Sequence, residues 1–361
     1  MAEHLGEPLR VGIIGYGLAG RVFHAPLVAS TPGMRLAAIV TGDPDRQAQA
    51  RLDYPEAAIL ADAAALFADP AALDVVVVAA PNRAHVSLGV AALEAGLPVV
   101  VDKPMAPSSV GARQLIEAAT RSGKLLTIFQ NRRWDNDFLT ARRLIEAGAL
   151  GALVRLESRF ERYQPELKAG AWREQAAPDE AGGLLFDLGA HLIDQAILLF
   201  GPPDSIYAEA AARRPGAQVD DDSFVALHFA SGQIAHLWMS VIPRKLGPRL
   251  RLVGMRGVYE KYGLDPQEDD LAQGLRPGDT GWGTEPRERW GRVYTDIGGV
   301  AVEAAAESVP GSYEQFYAQV RDALTQGAPP PVDPADSLRV LRVIEAAHES
   351  ARTGATVAFA G

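Results

Sequence analysis

Short runs of β-branched residues alternate with Ala- and Leu-rich stretches through the first third of the chain, the pattern of βαβ units feeding a parallel sheet. Leu9 to Ile14, Arg35 to Val40, Val75 to Ala79, Val99 to Val101 and Leu125 to Phe129 read as strands. Val75-Val76-Val77-Val78 lacks polar alternation, as a strand covered by helices on both faces should. After about residue 128 the period changes to two. Leu153 to Glu161, Ser205 to Ala211, Ser223 to Ala230, Gln233 to Ser240 and Leu250 to Val253 alternate between apolar and polar, which predicts a large, mostly antiparallel open sheet with one wet face. One helix carrying His191 interrupts it. Asp265 to Gly299, rich in Gly, Pro, Trp and charge, reads as a long structured loop. The expected fold is α/β: a doubly wound parallel sheet over 1–128, then an α+β domain over 129–361 whose C-terminal helix, near 334–353, packs back on the first.

A length of 361 residues agrees with two separate cores. The sequence has no cysteine, so disulfides, thiolate metal sites and a cysteine nucleophile are excluded, and nothing asks for an oxidising compartment. Glu3 and Glu7 stand where a secretory signal needs a basic start and an apolar run, and no apolar run approaches the roughly 20 residues of a membrane span. A cytoplasmic protein is expected. The net charge of −10 argues against binding nucleic acid, which depends on Lys and Arg neutralising phosphates.

Gly15-Tyr16-Gly17-Leu18-Ala19-Gly20 follows the first strand and opens a helical stretch, the context in which a G-x-G-x-x-G pattern binds a dinucleotide. The first glycine permits the tight turn, the second admits a pyrophosphate and the third lets the helix pack closely on the strand. The sheet is therefore a Rossmann domain, with Gly15, Gly17, Leu18, Ala19 and Gly20 against the cofactor. NAD enzymes place an acid at the end of the second strand. Here Thr41 stands there, followed by Gly42 and Asp43, and Arg46 lies one turn on. Thr41 would tolerate a 2′-phosphate and Arg46 would pair with it, so NADP is favoured over NAD; the alternative is that Asp43 reaches the ribose. Pro81 and Asn82, at the carboxyl edge of the next strand, line the nicotinamide ribose. His85 is either a cofactor contact or a structural histidine at a helix start.

At Asp102-Lys103-Pro104 the chain resembles the glucose-fructose oxidoreductase and inositol dehydrogenase family (Gfo/Idh/MocA). The glycine fingerprint, Ala80-Pro81-Asn82, this tripeptide, and Gly182-Gly183 before Asp187-x-x-x-His191 occur in that family's order, with Asp102 replacing the commoner Glu. Gly20-Arg21-Val22-Phe23-His24-Ala25-Pro26, Asn131-Arg132-Arg133-Trp134-Asp135 and Tyr262-Gly263-Leu264-Asp265-Pro266-Gln267-Glu268 resemble its NADP-dependent scyllo-inositol 2-dehydrogenase branch. The resemblance implies hydride transfer between a nicotinamide and a secondary alcohol of a polyol or sugar, and a homodimer or homotetramer formed through the sheet domain.

Oxidising a carbinol needs a base for the hydroxyl proton while hydride leaves carbon. His191 suits that role, and Asp187, four residues earlier on the same helical face, shares its proton network or holds the substrate. Lys103, beyond a strand end, stabilises developing alkoxide charge and borders the cofactor. Asp194, one helical turn after His191, orients the imidazole, binds substrate or is a solvated helix charge. Asn131, Arg133, Trp134, Tyr163 and Trp172 supply polar groups and apolar walls for a polyol, although Trp134 and Trp172 also suit packing and Arg132 or Arg133 also suits pairing with nearby acids. No metal is required. The alternatives are an NAD-linked dehydrogenase of another sugar or a dihydrodiol, and a non-catalytic nucleotide sensor, from which loss of Lys103, Asp187 or His191 would be expected.

Overall fold

A computed structural model describes residues 7–167 and 180–360. The chain divides into two compact units: Met1–Asn131 with Gln267–Trp282 and Ser312–Leu338, and Arg132–Pro266 with Gly283–Gly311 and Arg339–Gly361. The sequence predicts one continuous second domain over 129–361, whereas Gln267–Trp282 and Ser312–Leu338 belong to the first unit. Their apolar side chains, including Leu271, Phe316, Tyr317 and Val320, are buried, and no local pattern says which core they enter.

The first unit is built on six parallel strands: β1 (Leu9–Ile14), β2 (Met34–Val40), β3 (Ala58–Leu60), β4 (Val75–Val78), β5 (Val99–Asp102) and β6 (Leu126–Phe129), in the order β3-β2-β1-β4-β5-β6. The order reverses beside β1, which puts the crevice for a ligand at the carboxyl ends of β1 and β4. The four valines of β4 are wholly buried, as the unbroken run requires. The edge strand β3, three residues long with no fully buried position, had no legible pattern.

The second unit carries a nine-stranded sheet: β7 (Leu153–Glu161), β8 (Ser205–Ala211), β9 (Asp222–His228), β10 (Ile234–Ser240), β11 (Leu250–Gly254), β12 (Gly257–Lys261), β13 (Gly291–Ile297), β14 (Val300–Ala306) and β15 (Val357–Ala358), in the order β14-β13-β12-β11-β7-β10-β9-β8-β15. Neighbours are antiparallel except β7 with β10. Leu156, Ser158 and Phe160 of β7 face inward, while Arg155, Glu157, Arg159 and Glu161 alternate with them on the half-exposed face. The Arg159 guanidinium lies 3.8 Å from the Trp238 ring on that face. Asp265 to Gly299, expected as a loop, holds the helix Gln267–Gln273, a 3₁₀ turn at Arg287–Arg289 and all of β13. Among the described residues no helix is long and apolar enough to cross a membrane.

Candidate active site

In the first unit β1 delivers Gly15 at φ +104°. A Cβ there would lie 2.4 Å from the Ala79 carbonyl oxygen, and one on Gly20 would lie 1.9 Å from that of Gly15. Both positions therefore require glycine, the first for its turn and the second for helix contact. Gly17 differs: a Cβ there would meet nothing nearer than Arg46 Nη1, at 3.6 Å. The missing side chain leaves the approach that a pyrophosphate needs, and a guanidinium borders it. These residues fit a nicotinamide dinucleotide. The helix that follows runs through a π-helical segment, Ala19–His24, into the regular helix Ala25–Ser30, the change coming just before Pro26, which has no N–H to donate. Leu18 is exposed and Ala19 half-buried at its start.

Thr41 directly follows β2, its carbonyl accepting from Gln47 Nε2 at 2.8 Å. The Asp43 carboxylate accepts the backbone N–H groups of Asp45 and Arg46, capping the helix Pro44–Asp53. That capping role competes with a reach to ribose. Arg46 Nε is 3.7 Å from Asp43, and its side chain remains more than half exposed.

Pro81 is exposed and Asn82 buried after β4. His85 is fully buried, with Nδ1 2.8 Å from the Pro104 carbonyl oxygen and Nε2 2.8 Å from that of Ala80. The ring ties the end of β4 to the Lys103-Pro104 segment, and burial holds the imidazole below its ordinary value, so one nitrogen at a time donates to a carbonyl. Lys103 is half-buried beyond β5, its backbone N–H donating to Asp102 Oδ1 at 2.9 Å. His24 Nε2 lies 3.6 Å from that same oxygen, and its Nδ1 is 2.6 Å from the Tyr317 hydroxyl. Burial pushes the Asp102 carboxyl up, but His24, His85 and Lys103 outweigh it and hold it below the usual carboxylate range. The fingerprint helix is thus coupled through His24 to the segment bearing Lys103. Neither His24 nor Tyr317 was singled out from sequence, although His24 lies in the quoted Gly20–Pro26 motif; the contact joins residues 293 apart.

In the second unit Asp187 lies in another π-helical segment, Leu185–Gly189, and His191 in the helix Ala190–Phe200 that continues it. Among the described residues these two segments are where π geometry occurs. Asp187 is half-buried and His191 is 4% exposed. The His191 ring lies 6.2 Å from that of Phe160, over which stand the guanidinium groups of Arg132 and Arg249 at 5.1 and 4.6 Å.

The junction motif is committed mainly to packing. Arg133 donates to Asp194 from Nε and Nη2 at 2.8 and 2.7 Å, and Gln195 Nε2 donates to the Arg132 carbonyl at 2.8 Å. Arg132 Nη1 lies 3.6 Å from Asp135, and Arg249 Nε lies 3.2 Å from Asp137. Burial drives the Asp135 carboxyl well up, only partly opposed by Arg132. Trp134 is buried, and so is Asn131, the last residue of the first unit's opening segment. Tyr163 is exposed, its hydroxyl accepting from Arg244 at 2.9 Å while that guanidinium lies over its ring. Trp172 lies outside the described residues.

Residues 9–130 match the family model for the oxidoreductase family's NAD-binding Rossmann fold, and 142–359 match its C-terminal alpha/beta domain. The chain is 40% identical to the oxidoreductase YdgJ of Escherichia coli, covering 99% of this chain and 100% of that protein. It is 36% identical to the NADP(+) scyllo-inositol 2-dehydrogenase IolW of Bacillus subtilis, covering 97% and 96%. The solved structure of the putative oxidoreductase yvaA from Bacillus subtilis superposes with a TM-score of 0.93 at 35% identity, covering 98% and 99%. With both family domains present in order and relatives matched end to end, the chain belongs to the Gfo/Idh/MocA family and is an oxidoreductase with an NAD(P)-binding Rossmann domain.

Proposed function

We propose that the protein interconverts a secondary alcohol of a cyclic polyol or sugar with its ketone, with NADP preferred over NAD and scyllo-inositol the leading substrate. The observation that carries the reading is the placement of Asp187 and a buried His191 four residues apart at the start of one helix, in a chain that also keeps Lys103 beyond β5. His191 accepts the hydroxyl proton at an imidazole nitrogen, and Asp187 assists it. Lys103 stabilises the negative charge that develops on the substrate oxygen. A bound nicotinamide supplies the hydride acceptor. The relatedness to IolW supports both the inositol and the NADP assignments.

The NADP preference is further supported by Arg46 beside Gly17, by Thr41 directly after β2, and by the engagement of Asp43 as a helix cap. Asn131, Arg133, Trp134, Tyr163 and Trp172 remain the proposed surroundings of the polyol, the buried Arg133 and Trp134 contributing through the walls they build. The half-exposed outer face of the nine-stranded sheet, with Arg159 on Trp238, is the proposed contact with a second copy of the chain, and the cysteine-free composition suits the cytoplasm.

The test is absorbance at the reduced-nicotinamide band with NAD or NADP and a panel of inositols, aldoses and dihydrodiols. Signal with scyllo-inositol and NADP is expected. Signal with another sugar alone would overturn the inositol assignment, and cofactor binding without turnover on any member would overturn the enzymatic one.

A further inference from the structure

The helix bearing Asp187 and His191 starts without a cap of its own. Leu184, already at helical angles (φ −72°, ψ −28°), offers no side-chain hydrogen bond, and Gly183 before it has no side chain with which to close the first N–H groups as Ser, Thr, Asp or Asn usually does. Asp220, distant in sequence, supplies what is missing. Its Oδ2 accepts the Leu185 N–H at 2.8 Å, and its main-chain carbonyl accepts the Leu184 N–H at 3.0 Å. Oδ2 also accepts from the Ser223 hydroxyl at 2.7 Å, which fixes the carboxylate from the strand side.

The preceding turn is shaped around the same group. A Cβ on Gly183 would lie 1.9 Å from Asp220 Oδ1, and Gly183 has φ +91°. Ala181, at φ +60°, also occupies the left-handed region, which costs a non-glycine residue free energy unless surrounding structure enforces it. Gly183 then accepts the Asp187 N–H at 3.1 Å, so the carboxylate, the turn and the backbone of Asp187 form one connected unit. A negative charge at a helix N-terminus is favourable in itself.

The adjoining acids have other tasks. Asp221 accepts from the backbone N–H groups of Arg213 and Arg214 and from Arg214 Nε, while Asp222 pairs with Arg213 on an exposed edge. Of this run, Asp220 alone among the described contacts turns toward the helix.

We propose that Asp220 is a positioning residue for the reaction, setting the turn that places Asp187 and His191. The inference rests on the function proposed above. It acts through backbone, so it touches neither substrate nor cofactor.

The test compares Asp220→Ala, Asp220→Asn, Ser223→Ala and, as a control, Asp222→Ala. Asp220→Ala should lower kcat at least about tenfold with KM changed less than kcat and with NADPH affinity held within twofold, because small misplacement of reacting groups costs rate more than binding. Asp220→Asn, which retains an oxygen acceptor, should recover part of the loss, Ser223→Ala should show a smaller loss, and Asp222→Ala should match the parent. Should Asp220→Ala fail to fold, Asp220→Asn and Ser223→Ala carry the comparison. Unchanged kcat in the folded Asp220 variants would overturn the proposal. Hydrogen exchange at the amides of Leu184 to Asp187 gives a reading independent of turnover: exchange at least about tenfold faster in the Asp220 variants supports the proposal and unchanged exchange overturns it. If the parent protein turns over no polyol, the proposed function fails while the exchange measurement still decides this inference.

Discussion

Arg133 grips Asp194 with two parallel hydrogen bonds, both side chains being nearly fully buried. Asp194 lies one turn beyond His191, so the pair fixes the helix of the proposed base from the junction segment. Removing one partner strands a buried charge. Arg133→Ala or Asp194→Ala should therefore lose about 3–5 kcal/mol of stability in denaturant titration. Arg133→Lys should also be destabilised, since an ammonium cannot reproduce the fork. A loss below about 1 kcal/mol in the alanine variants would show that water reaches the pair.

Lys103→Met and His191→Ala should each lower kcat at least about a hundredfold, the scale expected for losing a charge-stabilising group or a general base. NADPH binding, followed by its fluorescence, should survive in both. Parental turnover in either variant would refute that residue's role.

Thr41→Asp places a carboxylate near the 2′ position of the adenosine ribose and should shift the kcat/KM ratio toward NAD about tenfold, roughly 1.4 kcal/mol of differential repulsion. Arg46→Ala should weaken NADP and leave NAD nearly unchanged. Equal effects on both cofactors would show that Arg46 serves the shared pyrophosphate instead.

The His348 ring lies 5.4 Å from Phe186, at the start of the His191 helix. Burial holds this imidazole below its ordinary value, opposed by Asp220. The unfolded chain takes up the proton near pH 6.5, while the fold resists it until lower pH, so this contribution is full above about 6.5 and declines as pH falls. The parent should lose more stability than His348→Gln between about pH 7.5 and 5.5. Identical losses would show that the imidazole binds its proton equally in both states.

Local chemistry made the nucleotide half legible. Gly15, Gly17 and Gly20 each announce a backbone requirement, and four consecutive valines can only be a covered strand or a buried helix segment. The period-two runs likewise located the strands β7 to β11. The end of the sheet was hidden for physical reasons. β14 is alanine-rich and mostly exposed, so it has no apolar face to alternate, and β13 sits within a Gly- and Trp-rich stretch that resembles a loop. In the site, the i, i+4 relation of Asp187 and His191 was visible because it is local. Arg133 with Asp194, His24 with Asp102, and Asp220 with Leu185 were not, because each joins segments that only the completed fold brings together.

The π-helical turn at Leu185–Gly189 makes length, as well as residue identity, part of the site's specification. Deleting Leu188 or Gly189 would allow the helix to close as a regular α-helix and would shorten the spacing of Asp187 and His191 from four residues to three. The two side chains would stay neighbours but point in altered relative directions, even with every proposed catalytic group still present. Proteins of this kind should therefore tolerate many substitutions along the helix more readily than a single insertion or deletion within it.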